Sequence, residues 1–163
     1  MIVHSFISCR AFSICYGMMN ANESFSGNYS EVGQRNLSVY VYQGSATVTS
    51  SSGLLFECNE QNLVDLQSIT DGLVEYRAGS NGSSWICVNN NQRQKEFNFE
   101  LLNTPVTKTV IGSLKEIYLL CLGGSVACNG VPISERSYAR IKNGSQAVID
   151  IPANATAILM VEK

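Results

Sequence analysis

The feature that most restricts how this chain can fold is a tandem repeat of strands and turns. The segments 72–88 and 144–161 share one order: a glycine, an alternating strand, a turn centred on asparagine, and four apolar residues. Upstream, 40–48 and 120–128 share a strand, a glycine and a second strand. A unit of roughly 75 residues is too long for a solenoid repeat and fits half of a β-barrel or a small jelly roll.

Short segments of β-type alternation, separated by turn residues, fill most of the sequence. Strands are predicted at 37–48, 63–66, 73–76, 84–88, 97–102, 117–122, 138–141, 147–151 and 157–161. Turns are predicted at Ser52-Gly53, Asp71-Gly72, Asn81-Gly82, Asn129-Gly130 and Asn143-Gly144. Irregular structure with one short strand is expected at 10–35. The pattern predicts an all-β chain of two tandem repeats, about 37–90 and 114–163, packed as a single domain over 1–163.

Composition and charge exclude several classes of protein. Apolar residues make up 45% of the chain and charged residues 15%, which is too apolar for a disordered protein. The formal net charge of −2 provides no basic face, so we do not expect nucleic-acid binding. No basic amphipathic helix is evident, so we do not expect binding to a membrane surface either.

Six cysteines are spread along the chain without the CxxC spacing of a zinc ribbon or a thioredoxin-like redox motif. Cys87 and Cys121 stand inside apolar runs, and we interpret the six as buried, reduced thiols that pack as small hydrophobic residues. The even count also permits three disulfides in a secreted chain, although 163 residues do not need them to fold. A thiol metal site is a further alternative, with Cys121 and Cys128 as its candidates. The six are Cys9, Cys15, Cys58, Cys87, Cys121 and Cys128.

The N-terminal segment and the asparagines bear on the compartment. Residues 1–19 are partly apolar, but Arg10 interrupts them, and no signal-peptide h-region followed by a cleavage site is visible. We therefore predict a cytoplasmic protein. Six Asn-x-Ser/Thr sequons argue for secretion, but a chain this rich in Asn, Ser and Thr produces sequons by chance.

The second repeat resembles a cupin. The run IYLLCLGGSVACNGV, from Ile117 to Val131, is similar to the C-terminal cupin of pirin-type bicupins. The run NGSQAVIDIPANATAILMVE, from Asn143 to Glu162, looks like the second half of a cupin. Two such units in a chain of 163 residues also resemble the HutD/Ves group of compact bicupins. The resemblance covers about 37–88 and 114–161, and it implies cupin-like jelly-roll or β-barrel repeats.

The first cupin motif is only partly present. In the family it ends in a glutamate, six further residues and a glycine, and Glu116 with Gly123 fits that spacing. The family places two metal-binding histidines just before the glutamate. This chain has Thr-Val-Ile-Gly at 109–112 instead.

The second motif also lacks its histidine. In the family it ends Pro-x-Gly-x-x-His; Pro152 fits, Asn154 stands at the glycine, and Ala157 stands at the histidine. The spacing from the preceding glycine to the proline is two residues longer than in the family. In the first repeat, Ser84 falls at the histidine and Leu37 at the glutamate.

Because those histidines are missing, we predict no metal and no cofactor. Cupin metals are held by imidazoles and a carboxylate, since neutral nitrogen ligands suit those ions. The one histidine, His4, lies outside both repeats, and any Ser-His or Cys-His catalysis would depend on it alone. Two carboxylate pairs, Glu57 with Glu60 and Asp65 with Asp71, are interpreted as solvated turn charges. The catalytic residues are therefore unknown.

A stripe of polar side chains is the candidate binding site. Because they alternate, Arg136, Tyr138 and Arg140 are expected to share one strand face, and inside a barrel they would bind a carboxylate or phosphate through paired guanidinium donors. The interpretation that we favour is an outward, solvated face opposite Ala139 and Ile141. The candidate ligand-binding residues are Arg136, Tyr138, Arg140 and Glu116.

Three functions fit these observations. The first is a metal-free, cupin-like binding or interaction module, whose barrel binds either a small acidic ligand or no ligand. The alternative is a bicupin-type enzyme with a non-standard site built from carboxylate, Cys or Arg groups. The third is a structural viral or phage protein, or a secreted surface protein. We also expect a homodimer, because 37–48 is taken as a long exposed strand edge, and such edges are usually covered or paired.

Overall fold

A computed structural model describes residues 1–8, 12–28, 37–66, 68–69, 72–90, 96–112 and 114–163. Within those ranges every regular element is a β-strand, so the all-β prediction is confirmed. The chain divides into two compact units, Met1–Gln94 and Lys95–Lys163. The packing of the two repeats as a single domain stays a prediction. Cys9, Asn36 and Asp71 lie outside the described residues.

The first unit contains seven strands in its described part, joined in one antiparallel sheet. The order of neighbours is β1-β2-β7-β4-β5, with β3 paired to β7 and β6 paired to β4. Their bounds are β1 Ile2–Ser8, β2 Phe12–Met19, β3 Ser24–Asn28, β4 Leu37–Ser50, β5 Leu55–Cys58, β6 Leu63–Asp65 and β7 Leu73–Asn90.

The second unit contains two four-stranded antiparallel sheets, ordered β13-β10-β15-β8 and β12-β11-β14-β9. Their bounds are β8 Phe97–Leu102, β9 Val106–Ile111, β10 Ile117–Gly123, β11 Ser125–Cys128, β12 Val131–Ser134, β13 Tyr138–Ile141, β14 Gln146–Ile151 and β15 Thr156–Glu162.

The two units pair their strands in the same order. In the first, β7 lies between β4 on one side and β2 with β3 on the other. In the second, β15 lies between β10 and β8, and β14 lies between β11 and β9. The segments that the sequence aligns therefore occupy equivalent places in the two units. The shared order also includes β2 and β3 with β8 and β9, which precede the predicted repeat bounds.

One predicted turn is wrong. Asn81-Gly82 lies inside β7, so the strands predicted at 73–76 and 84–88 are parts of a single strand. The ladder with β4 pairs Gly44 with Ser83 and resumes at Ala46 with Ala78, so 79–82 bulge out opposite one residue of β4. Gly82 has a φ of 78°, which glycine adopts freely. The turn-forming residues therefore bend a continuous strand.

The expectation of one short strand in 10–35 is also wrong. The described part of that segment contains two strands, β2 and β3, and β1 precedes them. β2 reads FSICYGMM, in which Ile14 and Tyr16 are buried while Cys15 between them is half-buried. Because both faces of the strand are partly covered, its sequence does not alternate clearly between polar and apolar residues.

Each unit has its own apolar core. In the second unit it is formed by the inward residues of both sheets, such as Leu119 of β10, Ile149 of β14 and Leu159 of β15. In the first unit it includes Val41 of β4 and Val74 of β7. Burial of each such side chain contributes about 1.5–3 kcal/mol to folding.

The segment 37–48 is not the exposed strand edge that the sequence predicted. β4 pairs with β7 on one side and with β5 and β6 on the other. The described residues contain no helix long and apolar enough to span a membrane.

Candidate functional site

The first unit contains a partly open cavity of about 240 Å³. Its described walls come mainly from β2, β4 and β7, and consist of aliphatic, aromatic and sulfur-containing side chains. Among the lining residues are Cys15, Val39, Val48, Tyr76, Trp85 and Cys87. No lysine or arginine occurs among the described lining residues, so this cavity is suited to an apolar ligand.

A β-bulge determines which residues of β4 line this interior. Before the bulge the inward residues have odd numbers, Leu37, Val39 and Val41; after it they have even numbers, Ala46 and Val48. An extra residue in a strand exchanges its two faces, because side chains alternate with a period of two. The extra residue is Tyr42, since the ladder passes from Val41–Trp85 to Gln43–Ser84, and Gly44, with a φ of 77°, follows it closely. The Gly44 N–H donates a hydrogen bond of 3.0 Å to the Glu60 carboxylate.

Two cysteines lie directly opposite each other on this wall. Cys15 of β2 and Cys87 of β7 are cross-strand partners. A hydrogen bond from the Cys87 thiol lowers the pKa of Cys15, against the effect of burial. The same hydrogen bond, and then burial, raise the pKa of Cys87 well above its ordinary value. Cys15 is therefore the thiol of this pair that ionises first.

A third cysteine of the cavity has a different environment. Cys58 of β5 is fully buried, and burial raises its pKa to about 11. Its partner across the strand pair is Ala46, which carries no polar side chain. Cys58 therefore matches the sequence interpretation of a thiol that packs as a small hydrophobic residue.

Glu116, which fits the glutamate of the first cupin motif, forms an ion pair outside the core. It precedes β10, and its carboxylate accepts a hydrogen bond of 3.1 Å from the Arg140 guanidinium. Ala139 and Ile141 of β13 pack on the core of the second unit, so Arg140 between them faces away from it. The structure thus brings together two of the four candidate binding residues.

The other two candidates are placed differently. Tyr138 begins β13, is 44% exposed, and contacts the Tyr118 ring at 6.2 Å between centroids. Arg136 lies in the turn before β13 with a φ of 68°, so it does not belong to the same strand face as Tyr138 and Arg140. Its guanidinium lies 3.7 Å from the Glu135 carboxylate. No Arg-Tyr-Arg stripe faces the core of this unit.

None of the positions of the second cupin motif carries the imidazole that the family uses as a metal ligand. Asn154, at the family's glycine, has a φ of 66°, a conformation that asparagine tolerates better than most residues. Ala157, at the histidine, is fully buried in the core. In the first unit, Ser84 is buried and forms a hydrogen bond with Tyr42.

The family's metal therefore does not fit this donor set. Val110, from the segment that replaces the first-motif histidines, packs in the core of the second unit, and Leu37 lines the cavity of the first. Neither side chain has a donor atom for a metal. Across the described ranges, no group of three or more His, Cys, Asp or Glu side chains is arranged to hold a metal ion.

A second depression lies on the second unit and is less suited to a ligand. It is an open groove of about 550 Å³ between β9, β11 and β14. Its carboxylate, Asp150, already accepts a hydrogen bond of 2.7 Å from the Thr107 hydroxyl. Three prolines, Pro105, Pro132 and Pro152, form much of its wall. The carboxylate of this groove is thus already hydrogen-bonded, and the prolines offer a ligand no side-chain hydrogen bond.

Sequence reasoning missed the cavity of the first unit. Cys15 falls in the segment where the alternation is unclear, and Cys87 was interpreted as an inert thiol. The two are far apart along the chain, and no spacing rule connects them. Trp85 stood in a predicted strand, but nothing in its sequence neighbours indicates that it lines a cavity.

Comparison with known proteins identifies the fold. No protein-family model and no curated protein matches the sequence. Among solved structures, the chain is similar to a cupin 2 conserved barrel domain protein from Leptotrichia buccalis, with a TM-score of 0.53, 9% identity, and coverage of 99% of this chain and 88% of that chain. It is also similar to quercetin 2,3-dioxygenase from Acinetobacter baumannii, with a TM-score of 0.68, 11% identity, and coverage of 99% and 80%.

A third similar structure is the bacterial pirin YhhW from Escherichia coli in complex with nickel(II), with a TM-score of 0.60, 13% identity, and coverage of 93% of this chain and 82% of that chain. At such low identities these likenesses concern the fold alone. The chain has the cupin fold that its second repeat resembles in sequence.

Proposed function

We propose that this cupin-fold chain is a metal-free binding module that takes a small apolar ligand in the cavity of its first unit. The observation that carries the proposal is the partly open cavity of about 240 Å³ with apolar and sulfur-containing walls. Cavities of this kind bind ligands chiefly by removing apolar surface from water. Trp85 and Tyr76 offer ring surfaces to an aromatic ligand.

The ligand expected in this cavity differs from the small acidic one that the sequence suggested. An acidic ligand needs a cation to replace its lost hydration. The described lining contains no lysine or arginine, and the ammonium group of Met1, which also lines the cavity, is already paired with the Glu23 carboxylate. An acidic ligand at Arg136 and Arg140 is a separate proposal. There the ligand would compete with Glu135 and Glu116 for the two guanidinium groups.

Fluorescence titration of the full chain tests the apolar-ligand proposal. Trp85 is the sole tryptophan, so its emission reports on the cavity directly. We expect saturable quenching or a blue shift with small uncharged aromatic compounds such as indole and naphthalene. Substitution Ala46→Leu, which fills the cavity, should weaken binding at least tenfold. The same substitution at the exposed Ala153 of the second unit should leave it unchanged.

Two results would contradict the proposal. One is the absence of a saturable change with any of these compounds, while a folded β spectrum persists. The other is equal loss of binding in Ala46→Leu and Ala153→Leu, which would place the responding site elsewhere.

An enzyme remains the alternative function. One structure of similar fold is described as a dioxygenase, and this likeness extends over nearly the whole chain. In this chain the motif positions lack nitrogen donors, so an enzymatic role would depend on the thiols or on Glu116. The structural-protein alternative stays a prediction from composition.

We also propose self-association. The sequence suggested it because 37–48 was taken as an exposed edge, but β4 is paired on both sides, and another strand now supports it. β1 pairs only with β2 among the described strands, and it carries Ile2 and Val3, each 53% exposed. An apolar edge of this kind favours strand pairing between two copies. Light scattering at micromolar concentration should give the mass of a dimer; a monomer mass would contradict this part.

A further inference from the structure

We infer that Cys15 and Cys87 form an oxidisable dithiol that reacts with small hydroperoxides and closes to a disulfide on the cavity wall. This inference goes beyond ligand binding and does not depend on it. It rests on the register of two strands, on the unequal environments of the two thiols, and on their access through the cavity.

The register places the two sulfur atoms for bond formation. β2 and β7 pair without a bulge from Phe12–Asn90 to Met19–Ser83, and Cys15 lies opposite Cys87 within this regular ladder. Both side chains face the core of the first unit. Residues directly opposite in an antiparallel pair have Cα atoms about 4.5–5.5 Å apart, which lies within the range of about 4.4–6.8 Å that disulfides span. Oxidation therefore requires no large movement of the backbone.

This arrangement distinguishes the pair from the other described cysteines. Cys58 lies opposite Ala46, and Cys121 lies opposite Ala157. Cys128 lies opposite Val131 and Ile149. Among the five cysteines in the described ranges, only Cys15 and Cys87 face each other across a strand pair.

The two thiols are suited to different roles. The thiolate is the nucleophile in oxidation, and a hydrogen bond from a neighbouring thiol favours it. The Cys87 thiol supplies that hydrogen bond to Cys15 and keeps its own proton. Cys15 is half-buried while Cys87 is 9% exposed, so the oxidant meets Cys15 first.

The cavity provides the route to Cys15. It lies beside both thiols and has room for small molecules, because a water molecule occupies about 30 Å³ in the liquid. Cys58 lines the same cavity, yet its pKa of about 11 leaves it almost entirely protonated at neutral pH. The chain thus contains an unreactive thiol of the same cavity as an internal control.

The chemistry balances with one hydroperoxide. The Cys15 thiolate attacks the peroxide oxygen; the O–O bond breaks, and the leaving oxygen takes a proton, which forms water from hydrogen peroxide. Cys15 is then a sulfenic acid. The Cys87 sulfur attacks the Cys15 sulfur; the S–O bond breaks, and the hydroxide leaves as water with the Cys87 proton. Two thiols lose two electrons in total, and hydrogen peroxide gains them.

To test this inference, the fully reduced 163-residue chain is treated with one equivalent of hydrogen peroxide at neutral pH, and its remaining thiols are counted. We expect two of the six thiols to disappear in a denaturing thiol count, with a mass decrease of two hydrogen atoms. Peptide mapping without reduction should show a Cys15–Cys87 disulfide, and dithiothreitol should restore six thiols. A disulfide mapped to any other pair, or a count that stays at six, would overturn the inference.

Three variants assign the roles. Cys87→Ser should stop at a sulfenic acid on Cys15 that dimedone traps, whereas Cys15→Ser should lose fewer than a tenth as many thiols in the same time. Cys58→Ser is the matched control and should react within about twofold of the wild-type rate. Should a variant fail to fold, the wild-type peptide map decides the matter alone. Dimedone on Cys87 with Cys15 unmodified would contradict the assigned roles.

Discussion

The indole ring of Trp85 on β7 lies over the Cα of Gly17 on β2, its partner residue in the ladder. A Cβ added at Gly17 would overlap ring atoms Cζ2, Cη2 and Cε2 of Trp85. The glycine therefore allows the ring to lie flat against β2 and to form part of the cavity wall.

Substitution Gly17→Ala should displace the Trp85 ring and destabilise the chain by roughly 1–3 kcal/mol, since overpacking costs about that much. Urea unfolding measures the loss, and a red shift of the single tryptophan's emission reports the displacement. Gly123→Ala is the control: a Cβ there meets nothing within 4 Å, so its effect should stay within about 0.5 kcal/mol. An unshifted emission in Gly17→Ala would disprove the contact.

The close approach of Gly44 to β7 leads to a second prediction. A Cβ at Gly44 would overlap the carbonyl oxygen of Gly82, and Gly44 also has a φ of 77°. Gly53 has a φ of 88° but open space around it, so Gly53→Ala isolates the conformational cost, roughly 1–2 kcal/mol. Gly44→Ala should cost at least about 2 kcal/mol more in chemical unfolding, because two backbones must separate. Equal costs would show that the close approach is unimportant.

Alkaline pH should weaken the fold through Cys58. Its pKa is about 11 when folded, against an ordinary 9.0. As the pH rises above about 9, the unfolded chain loses this proton first, so the free energy of unfolding falls by up to about 3 kcal/mol by pH 11. Unfolding at intervals between pH 8 and 10.5 measures the slope. Cys58→Ala should make that slope shallower, and an identical slope in the variant would contradict this.

The ion pair of Arg140 with Glu116 should contribute little stability. Their side chains are 57% and 20% exposed, and the pair lies 3.1 Å apart. A double-mutant cycle with Arg140→Ala and Glu116→Gln should give a coupling below about 1 kcal/mol that falls further in 1 M salt. The more exposed pair Lys163–Glu96 serves as comparison and should couple less strongly. A coupling above about 2 kcal/mol would mean that Glu116 has a larger role.

Much of the strand content could be predicted from local patterns. β8 and β13 have the bounds that alternation predicts, and β4, β10, β14 and β15 differ from prediction only at their ends. These strands either alternate, as β8 and β14 do, or are short continuous apolar runs, as β10 and β15 are, so local sequence is sufficient to identify them. β1, β5, β9 and β12 were not predicted. Only one short strand was expected where β2 and β3 lie, because burial on both faces of β2 removes the alternation.

The candidate site was harder to predict, because it depends on where a strand begins and on which distant strands pair. Arg136, Tyr138 and Arg140 alternate in sequence, but the strand begins only at Tyr138, so alternation before it has no structural meaning. Cys15 and Cys87 meet because β2 pairs with β7 in one register. A slip of one residue would turn each cysteine to the opposite face.

The sequence by itself determined that this chain is all-β, that it repeats, and that the family's histidines are replaced by residues without an imidazole or other nitrogen ligand, since these depend on residue types and local periodicity. Only the tertiary structure decided that Asn81-Gly82 bends a strand, that a bulge at Tyr42 exchanges the faces of β4, and that two distant thiols share a cavity wall. Those outcomes depend on the pairing register of strands far apart in the chain, which no local pattern encodes.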